Sequence, residues 1–143
     1  MKGSIILKQS QMVELEKLLR TVYRKLRQEI NTIIGREVSL NEFMVLKYLY
    51  FSDHAKASDL SKELNVSASH ITSVTDSLVK KGLIIRRRSD QDRRIVEMVL
   101  TDSGKLLVQD LEEKKSAYLQ SKFSQFSERE LADFIRLFRK LNE

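Results

Sequence analysis

The sequence predicts a mainly α-helical chain that carries one small β-hairpin. Three observations point there. Apolar residues recur at helical steps through most of the chain. Proline is absent from the 143 residues and glycine occurs four times, whereas sandwiches and barrels use both freely in turns. The periodicity changes to alternation in one place, between Leu83 and Leu100.

The first helix is expected over Lys8 to Ile34. Its apolar residues fall at Met12, Leu15, Leu19, Val22, Leu26, Ile30 and Ile33, and Gly35 is placed to end it. Leu18, Tyr23 and Ile34 widen the stripe. A helix this long exceeds what a small core needs, so part of it is expected to face another subunit. Ser39-Leu40-Asn41-Glu42 is a capping box. It opens a second helix through Phe43, Met44, Leu46, Leu49 and Tyr50 to about Ser52. That helix is apolar nearly all round, which predicts a central place in the core.

Two short helices follow. Ser58 to Leu64 makes about two turns. Asn65 then supplies a residue that tolerates the left-handed conformation. Ser67 caps the next helix, whose Ile71, Val74 and Leu78 bury one face. Ser69, His70, Thr72, Ser73 and Ser77 occupy the other. Lys80 and Lys81 suit its negative end, and Gly82 closes it.

Leu83 to Arg88 and Ile95 to Leu100 read as two strands around a polar loop, Ser89-Asp90-Gln91-Asp92-Arg93-Arg94. Val96, Met98 and Leu100 share one face. Thr101 caps a helix that runs to about Phe123. A second capping box, Ser127 to Glu130, opens the last helix, with Leu131, Phe134, Ile135, Phe138 and Leu141 on one side. The short loop from Ser124 to Ser127 favours a helix folded back on its neighbour over an extended coiled coil.

Charge is concentrated. The chain carries a net +6. Seven bases and two acids between Lys80 and Arg94 account for +5 of it, and the remaining 19 bases and 18 acids for +1. A cluster of this kind is the footprint of a polyanionic partner. Taken alone, the Arg86-Arg87-Arg88 run would be an ordinary solvated face; its neighbours change that reading.

Composition excludes several function classes. With no cysteine, disulfides, thiolate metal sites, Cys nucleophiles and thiol switching are all ruled out. His54 and His70 are the two histidines, so no metal or cofactor is expected. Ser61, Ser67, Ser69, Ser73 and Ser77 lack the His-carboxylate company of a nucleophile, and no enzyme is expected. No apolar run approaches the roughly 20 residues that span a bilayer. Three apolar residues after Ser4 are too few for a signal peptide, so a cytoplasmic protein without a membrane partner is expected.

Short helix, Asn turn, second short helix, glycine and basic hairpin together make a helix-turn-helix followed by a β-wing. A helix face of small polar residues fits the major groove of DNA, where base edges present a distinct donor and acceptor code. An arginine-tipped hairpin reaches the negative minor groove. Flanking Lys80, Lys81, Arg86 and Arg88 can neutralise phosphates. Hydroxyls of Ser67 and Ser69 sit at a helix N-terminus, where phosphates are also favoured.

The run Asp90-Gln91-Asp92-Arg93-Arg94, with Val99-Leu100-Thr101-Asp102-Ser103-Gly104, resembles the wing signature of MarR-type transcriptional regulators. Leu78-Val79-Lys80-Lys81-Gly82-Leu83-Ile84 is similar to the end of that family's recognition helix and its first wing strand. The resemblance spans essentially the whole chain. It implies a winged helix-turn-helix in an obligate homodimer. Residues 1–34 and 102–143 would be the dimerisation helices and 35–101 the DNA-binding region. It implies that the helix carrying Ser67, Ser69, His70, Thr72, Ser73 and Ser77 enters the major groove. A wing-tip arginine, Arg94 or next Arg93, would enter the minor groove with Asp92 bracing it. The expected partner is pseudo-palindromic double-stranded DNA, and the expected role a repressor released by a small, often aromatic or anionic, effector. Departures from the family pattern are Ser73 and Ser77, where bases are common, and Asn65, where glycine is common.

Other readings stand beside these. The winged helix could serve as a protein-interaction module, although a basic wing suits an interface core poorly. His70 reads equally as a base contact or as a plain surface histidine. His54 reads as a loop histidine over a metal or effector ligand. Phe43, Tyr48, Tyr50 and Phe51 read as core and dimer packing over a ligand box. Asp76 reads as the local partner of an arginine.

Overall fold

The computed structural model describes residues 2–143. Helix α1 (Lys2–Ile34) is followed by α2 (Leu40–Ser52), β1 (His54–Ala55), α3 (Ala57–Leu64), α4 (Ala68–Lys80), β2 (Ile84–Arg88), β3 (Val96–Leu100), α5 (Asp102–Lys122) and α6 (Glu128–Leu141). The caps expected from sequence form. Ser39 accepts from the Glu42 N–H while Glu42 reaches back to the Ser39 N–H, and Ser127 and Glu130 repeat the arrangement. Asn65 adopts the left-handed conformation (φ 53°, ψ 51°), and so turns α3 sharply toward α4. Gly82 takes φ 73°, which lets Leu83 N–H reach back to the Leu78 carbonyl and ends α4.

Three features depart from the sequence expectations. Helix α1 begins at Lys2, about one and a half turns before Lys8, because no proline interrupts the stretch and Gly3 falls in the first turn, where it disturbs the helix least. Gly35 ends α1 without a left-handed turn. A Cβ there would lie 2.4 Å from the Asn31 carbonyl oxygen, so the requirement is close approach. Lastly, the expected β2–β3 hairpin forms but gains a third strand. β1 pairs with β3, giving a three-stranded antiparallel sheet in the order β1-β3-β2. His54 therefore sits opposite Val99 in a strand, not in a loop. Asp53, at φ 64°, turns the chain from α2 into it.

The core gathers where α2 crosses the other elements. Val45, Leu46 and Leu49 of α2 pack with Leu60, Ile71, Leu78, Ile84, Met98, Val108 and Leu111, all essentially excluded from solvent. The sheet thus rests on the helices through Ile84, Met98 and Leu100, while Val96 extends past the core and is exposed. Phe43 is core, Tyr48 and Tyr50 are half-buried, and Phe51 is 72 % exposed against the edge of Tyr50. Phe51 is therefore not part of the core within one chain. Gly104 lets the first turn of α5 approach the wing, since a Cβ would lie 2.2 Å from the Leu83 carbonyl oxygen.

The long helices leave their apolar faces open. Of α1, only Ile34 is buried, and Met12, Leu15, Leu19 and Val22 are about half exposed. In α6 no residue is buried; Ile135, Phe138 and Leu141 point to solvent, while Phe134 meets Phe123 and Phe126 edge-on at the α5–α6 turn. No helix among the described residues is long and apolar enough to cross a membrane.

Candidate nucleic-acid interface

Helix α4 presents the polar face that its sequence predicts. Ser67, Ser69, His70, Thr72 and Ser73 are exposed, opposite buried Ile71, Val74 and Leu78. Their hydroxyls differ in freedom. The Ser67 Oγ accepts from the His70 N–H (3.2 Å) and lies 3.1 Å from the Ser69 Oγ. Thr72 donates back to the Ala68 carbonyl, which takes up its proton within the helix. The His70 ring is held by Asn41 at the start of α2, Nδ2 to Nε2 at 3.0 Å.

Ser77 does not lie on that open face. It is half-buried and donates to Glu42 Oε2 (3.1 Å). Lys81 is turned the same way, with its ammonium 2.9 and 3.1 Å from the two Glu42 oxygens and 3.0 Å from the Glu37 carbonyl. Burial pushes the Glu42 carboxyl up, but the hydrogen bonds and charge of Lys81, with the Ser39 and Ser77 donors, outweigh it and hold it below the usual carboxylate range.

The wing arginines divide likewise. Arg86 donates to Thr75 Oγ1 (2.9 Å) and to Asp76, so Asp76 orients an arginine as expected. Arg88 donates to the Arg93 carbonyl (2.9 Å) and ties the tip together from inside. Arg87 lies 3.5 Å from Glu97, which also faces His54 at 3.8 Å. Lys80 and Arg93 are exposed.

Arg94 projects into solvent, with 91 % of its side chain exposed. Asp92 grips it three ways: the Arg94 N–H and Nε donate to Oδ1 (3.1 and 3.0 Å), and Nη2 donates to Oδ2 (3.1 Å). These bonds hold the Asp92 carboxyl below its ordinary range. They also keep the guanidinium on one bearing without hiding it.

Two supporting residues escaped the sequence analysis. Ser89 is 5 % exposed and its Oγ accepts from the Gln91 and Asp92 N–H groups, which folds the tip that presents Asp92. A serine opening a polar loop between strands is the signal for such a turn. Glu42 was legible as a cap but not as the partner of α4.

A winged helix with these contacts matches known proteins. A profile described as the MarR family matches residues 38–96. An uncharacterised HTH-type transcriptional regulator, YpoP of Bacillus subtilis, is 43 % identical over 132 residues, which span 92 % of this chain and 94 % of YpoP. The chain belongs to the MarR family. It is accordingly a winged helix-turn-helix transcriptional regulator. A MarR family protein from Bacillus stearothermophilus superposes with a TM-score of 0.82 at 27 % identity, covering 94 % of each chain. FabT of Streptococcus pneumoniae, solved in complex with DNA, superposes with a TM-score of 0.81 at 25 % identity over 92 % of this chain and 94 % of FabT. Within the MarR fold, α4 is the second helix of the helix-turn-helix and β2–β3 the wing.

Proposed function

We propose that this MarR-family regulator is a homodimeric, non-enzymatic repressor in the cytoplasm. It binds pseudo-palindromic double-stranded DNA and is released by a small effector. The observation that carries the reading is Arg94, exposed yet held by Asp92, in the same chain unit as the exposed polar face of α4. α4 enters the major groove through Ser67, Ser69, His70, Thr72 and Ser73. Arg94, with Arg93 beside it, enters the minor groove. Lys80 is the phosphate contact that the geometry favours, since Lys81, Arg86 and Arg88 are engaged within the chain.

Residues 1–34 and 102–143 form the dimer. Their exposed apolar side chains need a cover, and burying the remainder of each contributes on the order of 1 kcal/mol. A twofold dimer offers its two α4 helices to half-sites about 34 Å apart. Release follows if an effector, expected to be small and aromatic or anionic, binds better to a form whose heads are wrongly spaced.

The test is selection from a random duplex pool at moderate salt, followed by sequencing. A pseudo-palindrome with half-sites about ten base pairs apart is expected. Uniform, salt-sensitive retention would reduce the function to non-specific binding. No retention would move it to a protein partner.

A further inference from the structure

Two recognition helices can reach fixed half-sites only if each is held at one attitude on the dimer scaffold. Apolar packing permits small slides; a buried charge with directional partners permits fewer. Glu42 is the one buried charged side chain among the described residues. Its carboxylate collects donors from the chain before α2 (Ser39 N–H, 3.1 Å) and from the last turn and a half of α4 (Ser77 at 3.1 Å, Lys81 at 2.9 and 3.1 Å). Lys81 also donates to the Glu37 carbonyl, in the corner where α1 turns into α2.

We propose that Glu42 is a positioning residue that locks the C-terminal end of α4 onto the α1–α2 corner, and so sets the spacing and tilt of the two recognition helices. The inference rests on the reading of the chain as a dimeric DNA-binding regulator. It gives Lys81 a use other than phosphate contact. A carboxylate is required because its two oxygens accept four hydrogen bonds, whereas a glutamine presents one acceptor oxygen and an NH2 that would face the Lys81 ammonium. Glutamine still completes a capping box, so Glu42→Gln keeps α2 and opens the lock. Lys81 is 38 % exposed and can turn to water when released.

The experiment uses the full chain. It has no cysteine, so a nitroxide on Ser73→Cys, an exposed position of α4, is the only label. Electron–electron resonance then reads the distance between the two α4 helices of the dimer without DNA. Affinity is measured in parallel on the unlabelled chain, with Ser73 intact, for the selected operator and for operators with half-sites one base pair nearer and farther. In Glu42→Gln the distance distribution should broaden. Affinity for the best operator should fall about tenfold or more, and the spacing preference should flatten. Lys81→Met, which opens the lock from its other end, should broaden the distances too. Unchanged distances with unchanged spacing preference overturn the proposal. So does a Glu42→Gln protein that binds tighter with a steeper salt dependence, because Lys81 would then be a phosphate ligand that Glu42 merely restrains. A wild type that selects no operator defeats the DNA reading, while the distance measurement still decides the lock.

Discussion

Arg94→Ala separates binding from folding more cleanly than any other substitution in the wing. The side chain is 91 % exposed and its bonds run to Asp92. Removing it should leave stability within about 0.5 kcal/mol, as for surface substitutions generally. The loss should appear in DNA binding. A guanidinium has five N–H donors. Asp92 occupies the Nε donor and one on Nη2, which leaves three for the groove. A groove contact of that size is worth about 1–3 kcal/mol. Taking about 1–1.5 kcal/mol for a guanidinium already shared, two heads lose about 2–3 kcal/mol, or roughly 30- to 150-fold in affinity. The slope of log affinity against log salt should become shallower by about 2, one unit per head. Asp92→Asn retains the cation but loosens its bearing, so affinity should fall less and the slope should hold. Fluorescence anisotropy on the selected operator across a salt series reads all three. Arg94→Ala binding within twofold of wild type, at an unchanged slope, would refute the assignment of Arg94 to the groove.

Other predictions concern the scaffold. Gly104→Ala forces a methyl group against the Leu83 carbonyl at 2.2 Å and the Leu100 side chain at 3.0 Å, so chemical denaturation should show a loss of about 1–3 kcal/mol. A stability equal to wild type would mean that α5 meets the wing less tightly. Tyr118 should titrate late, because burial and the Glu29 carboxylate that accepts its hydroxyl push it to about 12. The stability this confers is intact below the ordinary tyrosine value near 10 and lost as pH rises through about 12. Tyrosinate absorbance should show the late step move to lower pH in Glu29→Gln, though burial keeps it late, and a step that does not move there would dismiss Glu29 as a contributor. Removing residues from Ser127 onward deletes Phe134, Ile135, Phe138 and Leu141, whose apolar faces are at least a third exposed in the single chain. Sedimentation should then report a monomer, and a persistent dimer would place the interface elsewhere.

Much of the fold was legible because its signals are local. The caps at Ser39, Ser67, Thr101 and Ser127, the left-handed Asn65 and the terminating Gly82 each act within about one helical turn, so they survive without tertiary context. Strand β1 was not legible. Two residues cannot display a period, and their partners Met98 and Val99 lie more than forty positions away. The same limit governs the site. Its polar face and wing follow from neighbouring residues, and the family resemblance implied the Asp92–Arg94 pair, whereas the freedom of each cation follows from neither. Ser77 and Lys81 read as outward-facing until Glu42, on another helix, claims both. The Asn41 contact to His70 was hidden for the same reason.

The sheet order gives the wing one more property. β2 is an outer strand, and its free edge is bordered by Arg86, Arg87 and Arg88 in succession. An uncharged edge of that kind would invite a second wing to add to it strand by strand. Such pairing would link dimers through the surfaces that must remain open. Here any approaching copy brings its own three long, charged side chains, with Arg86 and Arg87 already tied to Asp76 and Glu97, and these do not pack into a second sheet. A polyanion, by contrast, is attracted to the net positive charge of the wing. The wing thus resists self-association while it waits for the partner whose charge it matches.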